Sequence, residues 1–134
     1  MQLQPYLFFE GRCDEALEFY RTALGAELTM LLRYKDSPDP TMCMPGTLDK
    51  VMHSSFRIGD TTVCASDGRC VGPPQFQGFS LSIAVSTEAE ADRLFAALCP
   101  GGQVLMPLTK TFYSPRFGMV HDKFGVLWMV LVAQ

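Results

Sequence analysis

A chain of 134 residues with 48% hydrophobic and 19% charged residues has material for one domain-sized core and too much apolar content for a disordered segment. Its formal net charge of -3 comes from 11 basic and 14 acidic side chains, and the basic ones are scattered singly, which argues against a nucleic-acid partner. No apolar run nears the roughly 18 residues of a membrane span, and Met1-Gln2-Leu3-Gln4-Pro5 has neither the basic nor the apolar region of a signal peptide, so no membrane partner and a cytoplasmic location are expected.

Tyr6-Leu-Phe-Phe9 reads as a short strand that Gly11 ends. Ala16, Leu17, Tyr20, Ala23 and Leu24 recur at helical steps, and Gly25 stands where a helix stops. Glu27 to Tyr34 reads as a strand and Lys35 to Leu48, with three prolines and a glycine, as a loop. Val51 to Ile58 and Thr61 to Ser66 flank Gly59-Asp60, the pattern of a tight hairpin. Asp67 to Gln77 is a Gly/Pro-bearing link. Phe79 to Val85 is then a strand, and Thr87-Glu-Ala-Glu90 opens a helix as a capping box, with Ala91, Leu94, Phe95 and Leu98 as its apolar stripe. Gly101-Gly102 stops that helix and a strand begins over Gln103 to Met106. Phe117 to His121 and Val126 to Val132 flank the turn Asp122-Lys-Phe-Gly125.

The second half repeats the order of the first. Matching Tyr20 with Phe95 sets an offset of 75 residues and pairs Pro5 with Ser80, whereas matching Cys64 with Met129 sets an offset of 65. The longer Pro-rich loop of the first half accounts for the difference. The period is too long for common solenoids and fits an α+β fold of two βαβββ modules, about 1–67 and 78–134, within a single domain.

The string Glu15-Ala-Leu-Glu-Phe-Tyr-Arg-Thr-Ala-Leu-Gly25 resembles the helix signature of the vicinal-oxygen-chelate superfamily, which holds glyoxalase I, bleomycin-resistance proteins and extradiol dioxygenases. Pro5-Tyr6-Leu-Phe-Phe with Glu10-Gly11, then Ala65-Ser66-Asp67, and Asp122-Lys-Phe-Gly-Val-Leu-Trp128-Met129 are similar to its PhnB-like (3-demethylubiquinone-9 3-methyltransferase-like) subgroup. The resemblance spans the chain. It implies curved mixed sheets around a cavity, the glyoxalase/bleomycin-resistance/dioxygenase fold. In the metal-dependent members it also implies a divalent ion held by His, Glu or Gln from the first and last strands of each module. Those positions fall here on Pro5, Cys64, Ser80 and Met129, a poor ligand set for a hard octahedral ion, so no metal and no cofactor are expected.

Other residues carry candidate roles. His53 and His121 lie near the ends of third strands; each is a base or ligand by type, or a strand histidine satisfied by a neighbouring backbone group. Cys64 has the type for nucleophilic chemistry, but its strand supplies no cation, and a cysteine packed as a small hydrophobe is favoured. Cys13, Cys43, Cys70 and Cys99 have no pairing spacing, so all five are read as free thiols. Asp67 either hydrogen-bonds a ligand at a cavity rim or caps the turn before Gly68. Ser66, Ser80 and Ser82 share the parity assigned to the cavity, with a solvated sheet face as the plain alternative. Thr109 to Phe117 is a lid that brings Phe112, Tyr113 and Arg116 to a ligand, or ordinary packing between modules; Trp128 is expected to pack in the core against a helix.

The expected pocket thus gathers Leu7, Phe9, Cys64, Ser66, Ser80 and Met129, with His53, Asp67 and Ser82 around it and Tyr113 and Arg116 at its mouth. Phosphate loops, paired catalytic carboxylates and nucleotide-binding glycine motifs are absent from the sequence. Two functions remain open: binding of a small apolar or aromatic molecule, or metal-dependent lyase, isomerase or dioxygenase chemistry. A homodimer is expected, because paired modules in this superfamily commonly bury sheet edges.

Overall fold

The computed structural model describes residues 1–38, 46–70 and 72–133. Cys43 lies outside the described residues. The chain divides into two compact units, Met1–Pro74 and Gln75–Gln134.

The first unit runs β1 (Tyr6–Phe8), α1 (Cys13–Leu24), β2 (Glu27–Arg33), a 3-10 turn at Tyr34–Asp36, β3 (Val51–Ile58) and β4 (Thr61–Ser66). The second runs β5 (Leu81–Val85), α2 (Glu88–Leu98), β6 (Gln103–Thr109), β7 (Phe117–His121) and β8 (Leu127–Val132). Each unit builds one four-stranded mixed sheet, ordered β1-β4-β3-β2 and β5-β8-β7-β6, in which the first and last strands pair in parallel. The duplication read from the sequence is therefore a duplication of topology.

Local chemistry sets the helix bounds. α1 carries Asp14 and Glu15 in its first turn and Arg21 in its last, signs that suit the helix dipole. It ends where Gly25 adopts φ +69, letting the Gly25 N–H reach the Arg21 carbonyl and the Ala26 N–H the Tyr20 carbonyl. α2 starts at Thr87, whose hydroxyl accepts from the Glu90 N–H at 3.2 Å. The two-residue hairpin β3–β4 turns on Gly59 at φ +55. β6 continues through Pro107, which is tolerated because β6 is an edge of its sheet and needs no amide there.

Each helix covers one face of its own sheet. In the first unit Cys13, Ala16, Tyr20 and Ala23 are the buried stripe of α1, and Tyr20 meets Phe9 (ring centroids 6.1 Å apart) and stacks on Phe56 (5.9 Å). In the second unit α2 packs on β8, whose Trp128, Val130 and Val132 are buried while Leu127, Met129 and Leu131 alternate between them. Trp128 is core, and its indole N–H donates to Asp122 Oδ2 at 2.8 Å.

Candidate functional site

A helix covers one face of each sheet, so the residues of opposite parity form a second, open face. In the first unit the register identifies it. Leu7 pairs with Ala65 and Ala65 with Ser54, and Ser54 Oγ lies 3.9 Å from Cys13 Sγ at the start of α1, so this row faces the helix. The neighbouring row, Tyr6–Cys64–Ser55–Met30, has the opposite parity and faces away from it. Phe8 pairs with Ser66 and Leu32 with His53 on that same face.

The expected lining is corrected here. Leu7 and Phe9 are buried, 2% and 0% exposed, on the α1 side of the sheet and cannot share a surface with Cys64 and Ser66. Tyr6 and Phe8 take their place, with ring centroids 4.9 Å apart. The physical reason is one residue of register. Cys64 is opposite Tyr6, and Pro5 contributes only its carbonyl, to the Cys64 N–H. In the second unit Met129 is opposite Ser82. Tyr6 therefore matches Ser82, and Pro5 does not match Ser80, because Tyr6 precedes Tyr20 of α1 by 14 residues whereas Ser82 precedes Phe95 of α2 by 13. Alternation of Leu7 and Phe9 with Tyr6 and Phe8 was the available signal, and the helix-derived offset masked it.

The open face of the first unit is apolar with a polar centre. Tyr6 Oη lies 2.9 Å from His53 Nδ1, and their rings are 5.6 Å apart. Burial holds the Tyr6 phenol above its ordinary pKa, partly opposed by a hydrogen bond from Ser66. Ser66 Oγ also accepts from the Gly68 N–H at 3.2 Å. Ser55 is tied to Thr29 Oγ1 at 2.7 Å, and the Cys64 thiol points to Gln4 Oε1 at 3.5 Å. Phe8, Met30 and Leu32 flank these groups and are exposed.

In the second unit the equivalent row is Ser82–Met129–Met119–Met106, read across β5, β8, β7 and β6. Ser80 joins it by donating its hydroxyl to Met129 Sδ at 3.0 Å. Arg116 is bound by Asp92 of α2 at 2.7 and 3.0 Å. Tyr113 stays exposed with its ring edge-on to Phe117 at 5.5 Å, and Phe112 beside it is almost fully exposed. Ser114 ties this loop to β8 by donating to the Val132 carbonyl at 2.8 Å.

Asp67, an expected site residue, and His121, a candidate by residue type, have internal duties. Asp67 is fully buried; its carboxylate accepts the N–H groups of Cys13 and Val51, both at 2.7 Å, which joins the start of α1 to the start of β3. His121 Nδ1 lies 3.2 Å from the Gly125 carbonyl across its own hairpin. The thiols at Cys13, Cys64, Cys70 and Cys99 are free, and burial pushes Cys13 up to about 12, with the Asp67 charge adding to it.

Tyr6 opposite Cys64 and Ser82 opposite Met129 offer two hydroxyls, a thiol and a thioether, and these donors do not fit a hard divalent ion. Among the described residues no three His, Cys, Asp or Glu side chains gather as a ligand set. A groove of about 200 Å³ opens on the α1 side, lined by Leu17, Leu28, Leu31 and Phe56. Its charges are already matched, Asp14 by Arg33 and Glu18 by Arg21.

The chain is similar to protein YjdN of Escherichia coli, with 33% identity covering all of this chain and 97% of that one. Among solved structures it is similar to protein PA1353 from Pseudomonas aeruginosa (42% identity, TM-score 0.88, covering 100% of this chain and 98% of that one). A PhnB protein from Bacillus cereus described as a putative 3-demethylubiquinone-9 3-methyltransferase is also similar (30%, TM-score 0.83, 99% and 100%). A glyoxalase/bleomycin resistance protein/dioxygenase from Nocardioides shares the fold alone at 16% identity and TM-score 0.61, covering 99% of this chain and 83% of that one. The family model for 3-demethylubiquinone-9 3-methyltransferase matches residues 1–131. With the duplicated βαβββ topology, these findings make the chain a member of that PhnB-like family, built on the vicinal-oxygen-chelate fold.

Proposed function

We propose that the protein binds a small apolar or aromatic molecule on the open faces of its sheets, without a tightly bound divalent metal. The supporting observation is the makeup of the first unit's face, where Tyr6, Phe8, Met30 and Leu32 surround a few polar groups, His53, Cys64 and Ser66. Mostly apolar walls with few polar groups suit small-molecule recognition. The second unit's methionine row is polarizable and adaptable, the property that lets one surface accept several ring shapes.

The methyl transfer in the family's name requires a methyl donor, and the described turn between β1 and α1 offers no fitting cradle for a nucleotide one. The turn between β1 and α1 has one glycine, Gly11, and the first amide of α1 is taken by Asp67. No step is therefore derived through such a donor. Free thiols fit a reducing, cytoplasmic setting, and no described helix is long and apolar enough to cross a membrane. A homodimer belongs to the same proposal.

A screen of aromatic and quinone-like compounds by thermal shift tests the reading. A compound at about a hundred times its Kd stabilises by roughly 2.7 kcal/mol, a shift of about 2 to 8 °C at this size. Ser80→Trp should remove the shift of a compound seated on the second unit, and a Tyr6→Trp variant that of one seated on the first. A hit that stabilises both variants fully would overturn the reading. Metal-dependent turnover of a glutathione adduct would replace it with the enzyme alternative.

A further inference from the structure

The polar centre of the first unit's open face is a hydrogen-bonded pair. Tyr6 Oη lies 2.9 Å from His53 Nδ1, with their ring centroids 5.6 Å apart. The other polar groups here are occupied, Ser55 by Thr29 and Cys64 by Gln4. The face's ionic pair, Arg57 with Glu27, is self-matched and several residues along β3. His53 uses Nδ1 within the pair and keeps Nε2.

We propose that this Tyr6–His53 pair is a recognition subsite for a weakly acidic hydroxyl on a planar ring, a phenol or an enol. The inference rests on the small-molecule reading above and adds the polar chemistry of the ligand. Imidazole bonded at one nitrogen presents the other to a ligand, and the tautomer follows its partner. When Tyr6 donates to Nδ1, the Nε2–H donates to the ligand oxygen. When Nδ1–H donates to Tyr6 Oη, Nε2 accepts the ligand's O–H, and the Tyr6 hydroxyl rotates its own proton away from the imidazole. The couple therefore serves the hydroxyl in either direction. Should the proton cross, the ligand O–H bond breaks and an Nε2–H bond forms, leaving an oxyanion beside an imidazolium whose Nδ1–H is held by Tyr6. The charged pair on this face, Arg57 with Glu27, is self-matched, so a neutral, weakly acidic group is the match. The rings of Tyr6 and Phe8 and the side chains of Met30 and Leu32 supply contact for the ring.

The test is a matched pair of probes, 2-naphthol and 2-methoxynaphthalene, titrated into the full chain by calorimetry. The hydroxyl form should bind about tenfold tighter, the worth of one good hydrogen bond. In His53→Leu that ratio should fall to within about twofold, with 2-methoxynaphthalene affinity preserved as the sign of an intact face. Tyr6→Phe, which keeps the ring and removes the hydroxyl, should lower the ratio without abolishing binding of the methoxy probe. Equal affinity of the two probes for the native chain, or a ratio that survives His53→Leu, would overturn the subsite and leave the binding reading standing. Saturable binding of neither probe would overturn the subsite together with the aromatic-ligand reading.

Discussion

Cys13 opens α1 with its amide on Asp67 and its thiol beside Ser54. Burial first, then the Asp67 charge, disfavours the thiolate and lifts the group from its ordinary 9.0 to about 12. The folded chain therefore holds this proton more tightly than the unfolded one. That contribution is complete below pH 9 and is lost as pH rises from 9 toward 12, at up to about 1.4 kcal/mol per pH unit. Urea melts across this range should show stability falling more steeply in the native chain than in Cys13→Ala, and equal slopes would refute the assignment. At residue scale the sequence was legible where partners are local. His121 meets a carbonyl four residues away, as a strand histidine satisfied by backbone should. Asp67 and His53 were not legible, because their partners lie far along the chain: Cys13 for the one and Tyr6, 47 residues away, for the other. Only the sheet register brings those groups together.

At the scale of elements, glycines mark where a helix and sheet approach most closely. A Cβ on Gly118 of β7 would stand 2.8 Å from the Phe95 ring of α2 and 3.1 Å from the Leu108 backbone nitrogen on β6. The ring could shift, but Leu108 stands in a short irregularity of β6 held on either side by the Met106–Met119 and Thr109–Phe117 pairs. Gly118→Ala should therefore cost about 1 to 3 kcal/mol, the range for overpacking a filled core. A chemical melt reads this directly, and a stability within 0.5 kcal/mol of native, the spread of surface changes, would show that α2 has room to move. The elements themselves were readable because their signals are short-ranged. Gly25 and Thr87 bound the helices, and Gly59 turns the hairpin. What local signals could not supply was the parallel pairing of β1 with β4. Without it the parity of a three-residue strand is ambiguous, and Leu7 and Phe9 were assigned the surface that Tyr6 and Phe8 occupy.

At the scale of the molecule, apolar side chains remain exposed on the strands that edge each sheet. β2 exposes Leu28, Met30 and Leu32, and β6 exposes Val104, Leu105 and Met106. Single exposed hydrophobes need no explanation, but consecutive ones on an edge strand combine an apolar patch with unpaired backbone groups. A second copy of the chain can cover both at once. β6 carries Pro107 near its end, a device that discourages open-ended strand addition and favours a closed pair over a growing stack. Light scattering across a hundredfold dilution should therefore give a mass near two chains at the concentrated end, against 14.9 kDa for one. Leu105→Glu places a charge on the exposed β6 patch at a half-exposed position, so it should lower the mass toward one chain while leaving the melting temperature of the separated chain close to native. A native mass near one chain at every concentration would refute the dimer. An undiminished dimer in Leu105→Glu would move the interface away from β6 and onto the β2 edge, where Met30→Glu would be the corresponding substitution.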